Sequence, residues 1–543
     1  MLVAILFTAV VAFVLAYLIY GRFLANRYGL DDARPTPSHT DYDGIDRVPA
    51  HKMVLLGHHF SSIAGAAPIV GPIIACLAFG WLPVVLWIVL GSIFIGGVID
   101  FSSLVASIRH NARSIAEIAR QHVSPLAFRL MLAFIWLTLV YVLTVFADLT
   151  ATTFIDNGGV ATSSLMFIVL AVLFGLALNR MKVPLLWASA VFVPLMFVAV
   201  WAGQKIPLSA NLIPEIIAGE PKKTWAVVLL FYCFLASTTP VWILLQPRDY
   251  LSSYLLYASV LSGFLGIAIG GFTIQYPAFT TWGVPQVGTL FPILFITVAC
   301  GACSGFHSIV ASGTSSKQLN KETDAKAIGY GAMLLEGLVA VIALATVVIL
   351  PRGDQLTMKA PLTIYGMGIA RFLSVLGISE KMGFSFGLLA LSAFILTTLD
   401  TATRLGRYIF EELFNLKGTR SRYVSTLATL VLPMIFVLIN LKDAQGNSIP
   451  AWKAIWPVFG ACNQLLAGLV ALVIAIWLNK TGRKIGFILG PVLFMNIVTI
   501  WALILLLRQY RFSAVGVIAA VLFLLALVLI FEVCRTIRKV VVA

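Results

Sequence analysis

Apolar runs of about 20 residues, the length a helix needs to cross a bilayer, recur along the whole chain between short polar segments. Roughly fifteen are present. They fall near Met1–Leu24, Gly57–Gly80, Trp81–Ser107, Leu126–Asp148, Ala161–Leu178, Pro184–Trp201, Trp225–Leu245, Leu251–Gly271, Leu290–Ser312, Ala325–Leu350, Phe384–Leu399, Val424–Asn440, Ile455–Leu478, Ile485–Leu507 and Ser513–Phe531. The pattern predicts an all-α polytopic membrane protein. The first run has no charge before Arg22 and reads as a retained helix, not a cleaved leader. The run Pro361–Gly377 is too short for a crossing and reads as a short outer or re-entrant helix.

Five runs start at Gly57 and five at Trp225. Because five crossings are an odd number, the second group begins in the opposite direction, the ground plan of an inverted repeat. This divides the chain into residues 1–56 (a helix and a loop), 57–224 (first repeat), 225–422 (second repeat, with the short helix at 361–377) and 423–543 (four accessory helices). The first run of each repeat looks broken: HHFSSIAGAAPIVGP contains Gly65, Pro68, Gly71 and Pro72, and FLASTTP contains Ser237, Thr238, Thr239 and Pro240. Proline removes an amide and clashes with the preceding turn, leaving backbone groups that lipid cannot satisfy.

With 60% hydrophobic and 11% charged residues, the chain has too little polar surface to coat a soluble globule. The net charge of +15 does not indicate nucleic acid, since the basic residues sit in brief patches between runs. If the chain starts outside and crosses fifteen times, those patches hold 26 of the 37 Lys and Arg on the cytoplasmic side. The amino terminus is then outside and the carboxyl terminus inside. The cysteines lie in or beside apolar runs and form no secreted disulfide framework.

Candidate chemistry gathers where polar residues interrupt apolar ones. His58, His59, Ser61 and Ser62 precede the first break, with Gly65, Ala66 and Gly71 within it; Ser304, His307 and Ser308 lie in the polar stretch Cys303–Leu319. Together with Ser237, Thr238 and Thr239 these are the expected substrate-binding residues. Exposed amides near Ala64–Gly71 suit a carboxylate, and hydroxyls suit Na⁺ or a polar solute. Glu336 lies midway through an apolar run, where an ionised side chain is costly unless paired, so it is the leading site for a coupled proton. Asp100, Arg248, Asp249, Asp400 and Arg404 are coupling or gating candidates, with Asp400 and Arg404 spaced for a local ion pair on one helical face. Asn463 and Gln464 suit binding a partner helix or lining a route. Cys300, Cys303 and His307 are a weak metal pattern, and neither a metal nor a cofactor is expected.

These segments together resemble the carbon-starvation protein A family, also described as peptide or pyruvate transporters. The resemblance rests on GHHFSSIAGAAPIVGP (57–72), GVIDFSSL (97–104), RHNARSIAEIA (109–119), QPRDYLSSYLL (246–256), SGFHSIVASGTSSKQL (304–319) and TTLDTATRLGRY (397–408). It implies a core similar to the amino acid, polyamine and organocation transporter superfamily, with two inverted five-helix units. It also implies uptake of pyruvate or short peptides across a bacterial inner membrane, with H⁺ or, alternatively, Na⁺ as coupling ion. Membrane lipid is the expected surroundings. A membrane nutrient sensor and a membrane-embedded metal-dependent enzyme are the alternatives.

Overall fold

The computed structural model describes residues 1–208, 220–284, 287–439, 450–511 and 514–542. Residues 209–219 of the polar interval before Trp225, Asn440 at the end of one expected run and Ser513 at the start of another lie outside them.

The apolar runs form helices. α1 is Leu2–Tyr28; α2 (Lys52–Ile63) and α3 (Ala67–Phe79) form a pair bent by 41°; α4 is Trp81–Ile108; α5 is the short amphipathic Ile115–His122. α6 (Pro125–Asp156), α7 (Gly158–Asn179), α8 (Leu185–Lys205), α9 (Pro221–Thr238) and α10 (Leu245–Ile269) follow. A two-stranded hairpin, β1 (Gly283–Val284) and β2 (Gly288–Thr289), leads into α11 (Leu290–Thr297) and α12 (Gly305–Gly313). The chain ends with α13 (Glu322–Val348), α14 (Pro361–Ser374), α15 (Glu380–Leu413), α16 (Thr419–Leu438), α17 (Ala451–Lys480), α18 (Gly486–Tyr510) and α19 (Ala514–Val542). Among the described residues, 12 helices are long and apolar enough to span a membrane, and the bent α2–α3 pair raises this to 13. α9 and the interrupted α11–α12 occupy the remaining expected runs.

The first expected break lies at residues 64–66, between α2 and α3. The second does not lie in Trp225–Leu245. There α9 ends at Thr238, the chain turns through Pro240, and α10 starts as a separate helix at Leu245. The turn reaches the loop end of the molecule, where the Val241 amide donates to Ile45 O at 3.0 Å. The second interrupted span is α11–α12, unwound over residues 298–304. That run has no proline in the gap, and its carbonyls are held by side chains from distant helices.

The segments rich in Lys and Arg meet at one end. The Ala50 amide donates to Gln318 O at 3.0 Å, Arg109 Nε to Glu322 Oε1 at 2.8 Å, and Lys480 Nζ to His122 O at 2.9 Å. The opposite end is closed by the Trp81 amide donating to Pro277 O (3.3 Å), the Gln275 amide to Val348 O (2.9 Å) and the ion pair of Lys222 with Asp148 (2.8 Å). α14 lies across α15, α16's predecessor in the chain, and also packs on α10, α13 and α3.

The packing has a two-fold character. α10 lies along α2, as α17 lies along α12 and α11; α13 packs on α3, as α4 packs on α12; and α6 and α15, the two long helices, pack on each other. α9 against α6 matches α16 against α15, and α5 on α6 matches α14 on α15. The hairpin α7–α8 stands outside this correspondence, with Leu186, Trp187, Val191 and Trp201 exposed as expected of lipid-facing positions.

Candidate functional site

Interrupting a helix inside a membrane exposes backbone groups, and the surrounding side chains answer them. At the first break Thr398 Oγ1 donates to Ser62 O at 3.0 Å. At the second, Trp87 Nε1 donates to Val298 O (2.9 Å), Ser92 Oγ to Gly301 O (3.1 Å) and Gln464 Nε2 to Phe295 O (2.8 Å). Asn463 Oδ1 accepts from the Phe306 amide at 2.8 Å and from Ser304 Oγ at 3.1 Å, capping α12. Asn463 and Gln464 therefore bind the unwound segment. Glycines allow the close approach: a Cβ at Gly71 would stand 2.4 Å from Thr297 O, and one at Gly460 2.4 Å from Ile296 O.

Two buried polar clusters flank the breaks. In the first, His307 of α12 sits between carboxylates from two other helices. Its Nδ1 is 2.9 Å from Asp100 Oδ2 on α4, and its Nε2 is 3.2 Å from Glu336 Oε2 on α13. All three side chains are fully buried. The His307–Glu336 approach is an ion-pair distance without hydrogen-bond alignment, so His307 Nε2 and both Glu336 oxygens have no hydrogen-bond partner. Ser102 Oγ, Ser308 Oγ and His59 Nε2 are likewise buried and unpartnered. Such groups are costly to bury unless a ligand, water or proton answers them.

With the imidazolium and one carboxylate ionised, this cluster is neutral only if the other carboxyl keeps its proton. Releasing that proton leaves a net negative charge in a buried site, a costly state unless a compensating charge arrives. The arrangement can hold one exchangeable proton.

The second cluster runs from α15 to α2. Asp400 Oδ2 accepts from Arg248 and from Tyr232 Oη, the latter at 2.7 Å. Arg248 Nη2 donates to Asp249 Oδ1 at 3.0 Å, and Asp249 Oδ2 lies 2.5 Å from His58 Nδ1. His58 Nε2 is 3.3 Å from Thr314 Oγ1, and Ser62 Oγ is 3.0 Å from Thr401 Oγ1. Ser61 Oγ donates to Asp249 O at 3.1 Å, and His59 Nδ1 is 2.8 Å from Ser315 Oγ. One path of hydrogen bonds and ion pairs thus links α15, α9, α10, α2 and the end of α12. Asp249 lies inside α10 with its carboxylate committed to Arg248 and His58.

The expected site is thereby divided. His58, His59 and Ser61 face α10 and the end of α12, and Ser62 faces α15; His307 with Asp100 and Glu336 forms a separate group; Ser304 serves the α12 cap. Ser237, Thr238 and Thr239 join neither cluster. Ser237 Oγ faces Thr426 Oγ1 at 3.3 Å, and the hydroxyls of Thr238 and Thr239 donate to carbonyls of their own helix.

The expected Asp400–Arg404 pair is also corrected. Arg404 Nη1 donates to Asp46 Oδ1 at 2.7 Å, and its Nη2 donates to Ala236 O (2.7 Å) and Thr239 O (2.5 Å) at the end of α9. Arg407 Nη2 reaches the other oxygen of Asp46 at 2.9 Å. Burial opposes the charge on Asp46, but Arg407, Arg404 and Lys317 hold its carboxyl well below the usual range. Tyr232 and Asp46 were not legible as site residues, because nothing near them in sequence marks their partners.

Cys300 Sγ accepts from Asn463 Nδ2 at 3.3 Å while His307 is engaged by carboxylates, and among the described residues no three His, Cys, Asp or Glu side chains gather as a metal site. A cavity of about 680 Å³ lies apart from both clusters, at the loop end.

The sequence profile of the family described as Carbon starvation protein CstA matches residues 1–367 and 359–502. The chain is 30% identical over 540 residues to the protein named "Peptide transporter CstA" of Escherichia coli (strain K12), covering 88% of this chain and 76% of that one. It is 30% identical over 578 residues to "Pyruvate/proton symporter BtsT" of the same organism, covering 91% and 80%. Among solved structures it shares its fold with MhsT in complex with L-phenylalanine: TM-score 0.51, 12% identity, 88% of this chain and 99% of that one.

Proposed function

The chain belongs to the carbon starvation protein CstA family, and from that premise we propose that it takes up a small carboxylate-bearing nutrient by alternating access, coupled to a proton. It is a secondary transporter and not an enzyme, in keeping with relatives named as transporters and a transporter fold. Pyruvate is the first substrate to test and short peptides the second, since relatives carry both names.

The observation that carries this reading is His307 wedged between Asp100 and Glu336, fully buried beside an interrupted helix. A proton on this cluster and an anionic carboxylate at the break before α3, on the positive end of that helix, compensate each other electrically. Residues Lys52–Ile269 and Leu290–Lys480 are the two inverted units in this reading, with α7–α8 inserted in the first and α2–α3 related to α11–α12. The family context and the gathering of basic segments at one end support a bacterial inner membrane, with the amino terminus outside and the carboxyl terminus cytoplasmic.

Purified protein in sealed vesicles tests the proposal. Pyruvate accumulation driven by an imposed proton gradient, with matching proton influx, is expected. Uptake driven only by a Na⁺ gradient would replace the proton, and binding without net movement would make the protein a sensor.

A further inference from the structure

The cavity at the loop end is walled by α5, the start of α6, the end of α12 and the end of α15. Six of its lining residues are basic and three are acidic. The three carboxylates each have a partner: Glu117 binds Arg113 and Arg120 at 3.0 and 2.9 Å, Glu412 accepts from Ser114 Oγ at 2.9 Å, and Glu411 accepts from Ser421 Oγ at 3.4 Å. Arg47 is paired outward with Asp41 at 3.0 Å. Lys317, Arg129 and Lys417 form no ion pair among the described residues. Lys317 is held by the Tyr408 ring, its Nζ 3.3 Å from the ring centroid, and so reaches the cavity as a fixed cation with no carboxylate at ion-pair distance among the described residues. Burial lowers its ammonium to about 8, with Asp46 and Glu412 opposing the shift from beyond ion-pair distance.

A pocket with surplus fixed positive charge and partly apolar walls selects a small anion. Planar carboxylates fit donors of this kind, with Arg129 able to offer a fork of N–H groups and Lys317 a point charge. Ile309, Ser312 and Gly313 line the cavity and follow His307 on the same helix, so Ser312 lies roughly 7–8 Å further along it. The pocket therefore shares α12 with the proposed site yet is built from other residues.

We propose that this cavity is a second binding site, for small carboxylate anions approaching from the loop face, with Lys317 as its anchoring cation. Under the transport reading, on which only this consequence rests, accumulated carboxylate occupying the pocket slows further uptake.

Amine labelling of the full-length protein in detergent tests the site without requiring transport. Reductive methylation at Lys317, followed by peptide mass spectrometry, is compared in sodium pyruvate and in sodium chloride of equal ionic strength. At pyruvate about four times its Kd, labelling of Lys317 is expected to slow about fivefold, with exposed Lys453 at the opposite end unchanged. Equal Lys317 rates in the two salts overturn the site. Protection by nanodiscs of anionic phospholipid but not by pyruvate also overturns it, by making the ligand a headgroup.

Discussion

Asp400 is paired with Arg248, 152 positions away, and not with Arg404 one turn along its own helix. Arg248 serves two carboxylates, Asp400 and Asp249, so its loss and the loss of Asp400 are not equivalent. Arg248→Gln leaves two buried carboxylates without their cation and is expected to cost about 3–5 kcal/mol. Asp400→Asn leaves Arg248 with Asp249 and is expected to cost less. Thermal unfolding of the purified variants checks the order; an Asp400→Asn variant as unstable as Arg248→Gln contradicts the shared-cation arrangement.

Gly71 admits the Thr297 carbonyl at the point where α11 unwinds. Gly71→Ala places a methyl group 2.4 Å from that oxygen, and the neighbour is backbone, which yields less easily than a side chain. A cost of about 1–3 kcal/mol is expected, with uptake falling further than stability because the two interrupted helices meet here. Gly490→Ala, with nothing within 4 Å of its Cβ, is the control and should change neither.

The two interruptions differ in how legible they are. The first announces itself through Gly65, Pro68, Gly71 and Pro72, residues that act on their own backbone. In FLASTTP the same vocabulary marks a helix end, because Pro240 sits where the chain turns at the loop end. The second break, in VACGACS, is made by Trp87, Ser92, Asn463 and Gln464, whose distance in sequence hides their contribution. Likewise Asp100, His307 and Glu336 each stand out as polar residues in apolar runs, but only tertiary packing brings them together. The sequence spacing of Asp400 and Arg404 allows a local pair; the long-range partners Arg248 and Asp46 outcompete it.

Asn463 completes the start of α12 and also satisfies Ser304 and Cys300. Asn463→Leu, close in volume, removes the cap and leaves the Phe306 amide and Ser304 hydroxyl buried without that acceptor. A loss of roughly 1–3 kcal/mol is expected, while Asn463→Asp, which keeps an acceptor for both, is expected to retain more stability. Unfolding midpoints of the two variants check this; equal losses contradict the capping role.

Lys317 provides a pH test. Burial lowers its ammonium to about 8, Asp46 opposing and Arg47 and Arg407 adding to the effect. An unfolded lysine keeps its proton to about 10.4, so between those values the unfolded chain binds more protons and stability rises with pH. Below about 8 the folded protein carries the buried charge in full. Lys317→Met is therefore expected to be more stable than the parent at pH about 7, with the difference fading towards pH about 10. Unfolding midpoints measured without added carboxylates check this; a difference that grows with pH contradicts it.

The most direct test is proton movement accompanying pyruvate in vesicles containing the Glu336→Gln variant. Glutamine keeps the shape of Glu336 beside His307 but cannot take up or release the coupled proton. The expected result is loss of pyruvate-driven proton influx and of concentrative uptake, with pyruvate exchange between the two sides retained. Proton influx equal to that of the parent chain would contradict the assignment of the coupled proton to the His307, Asp100 and Glu336 cluster.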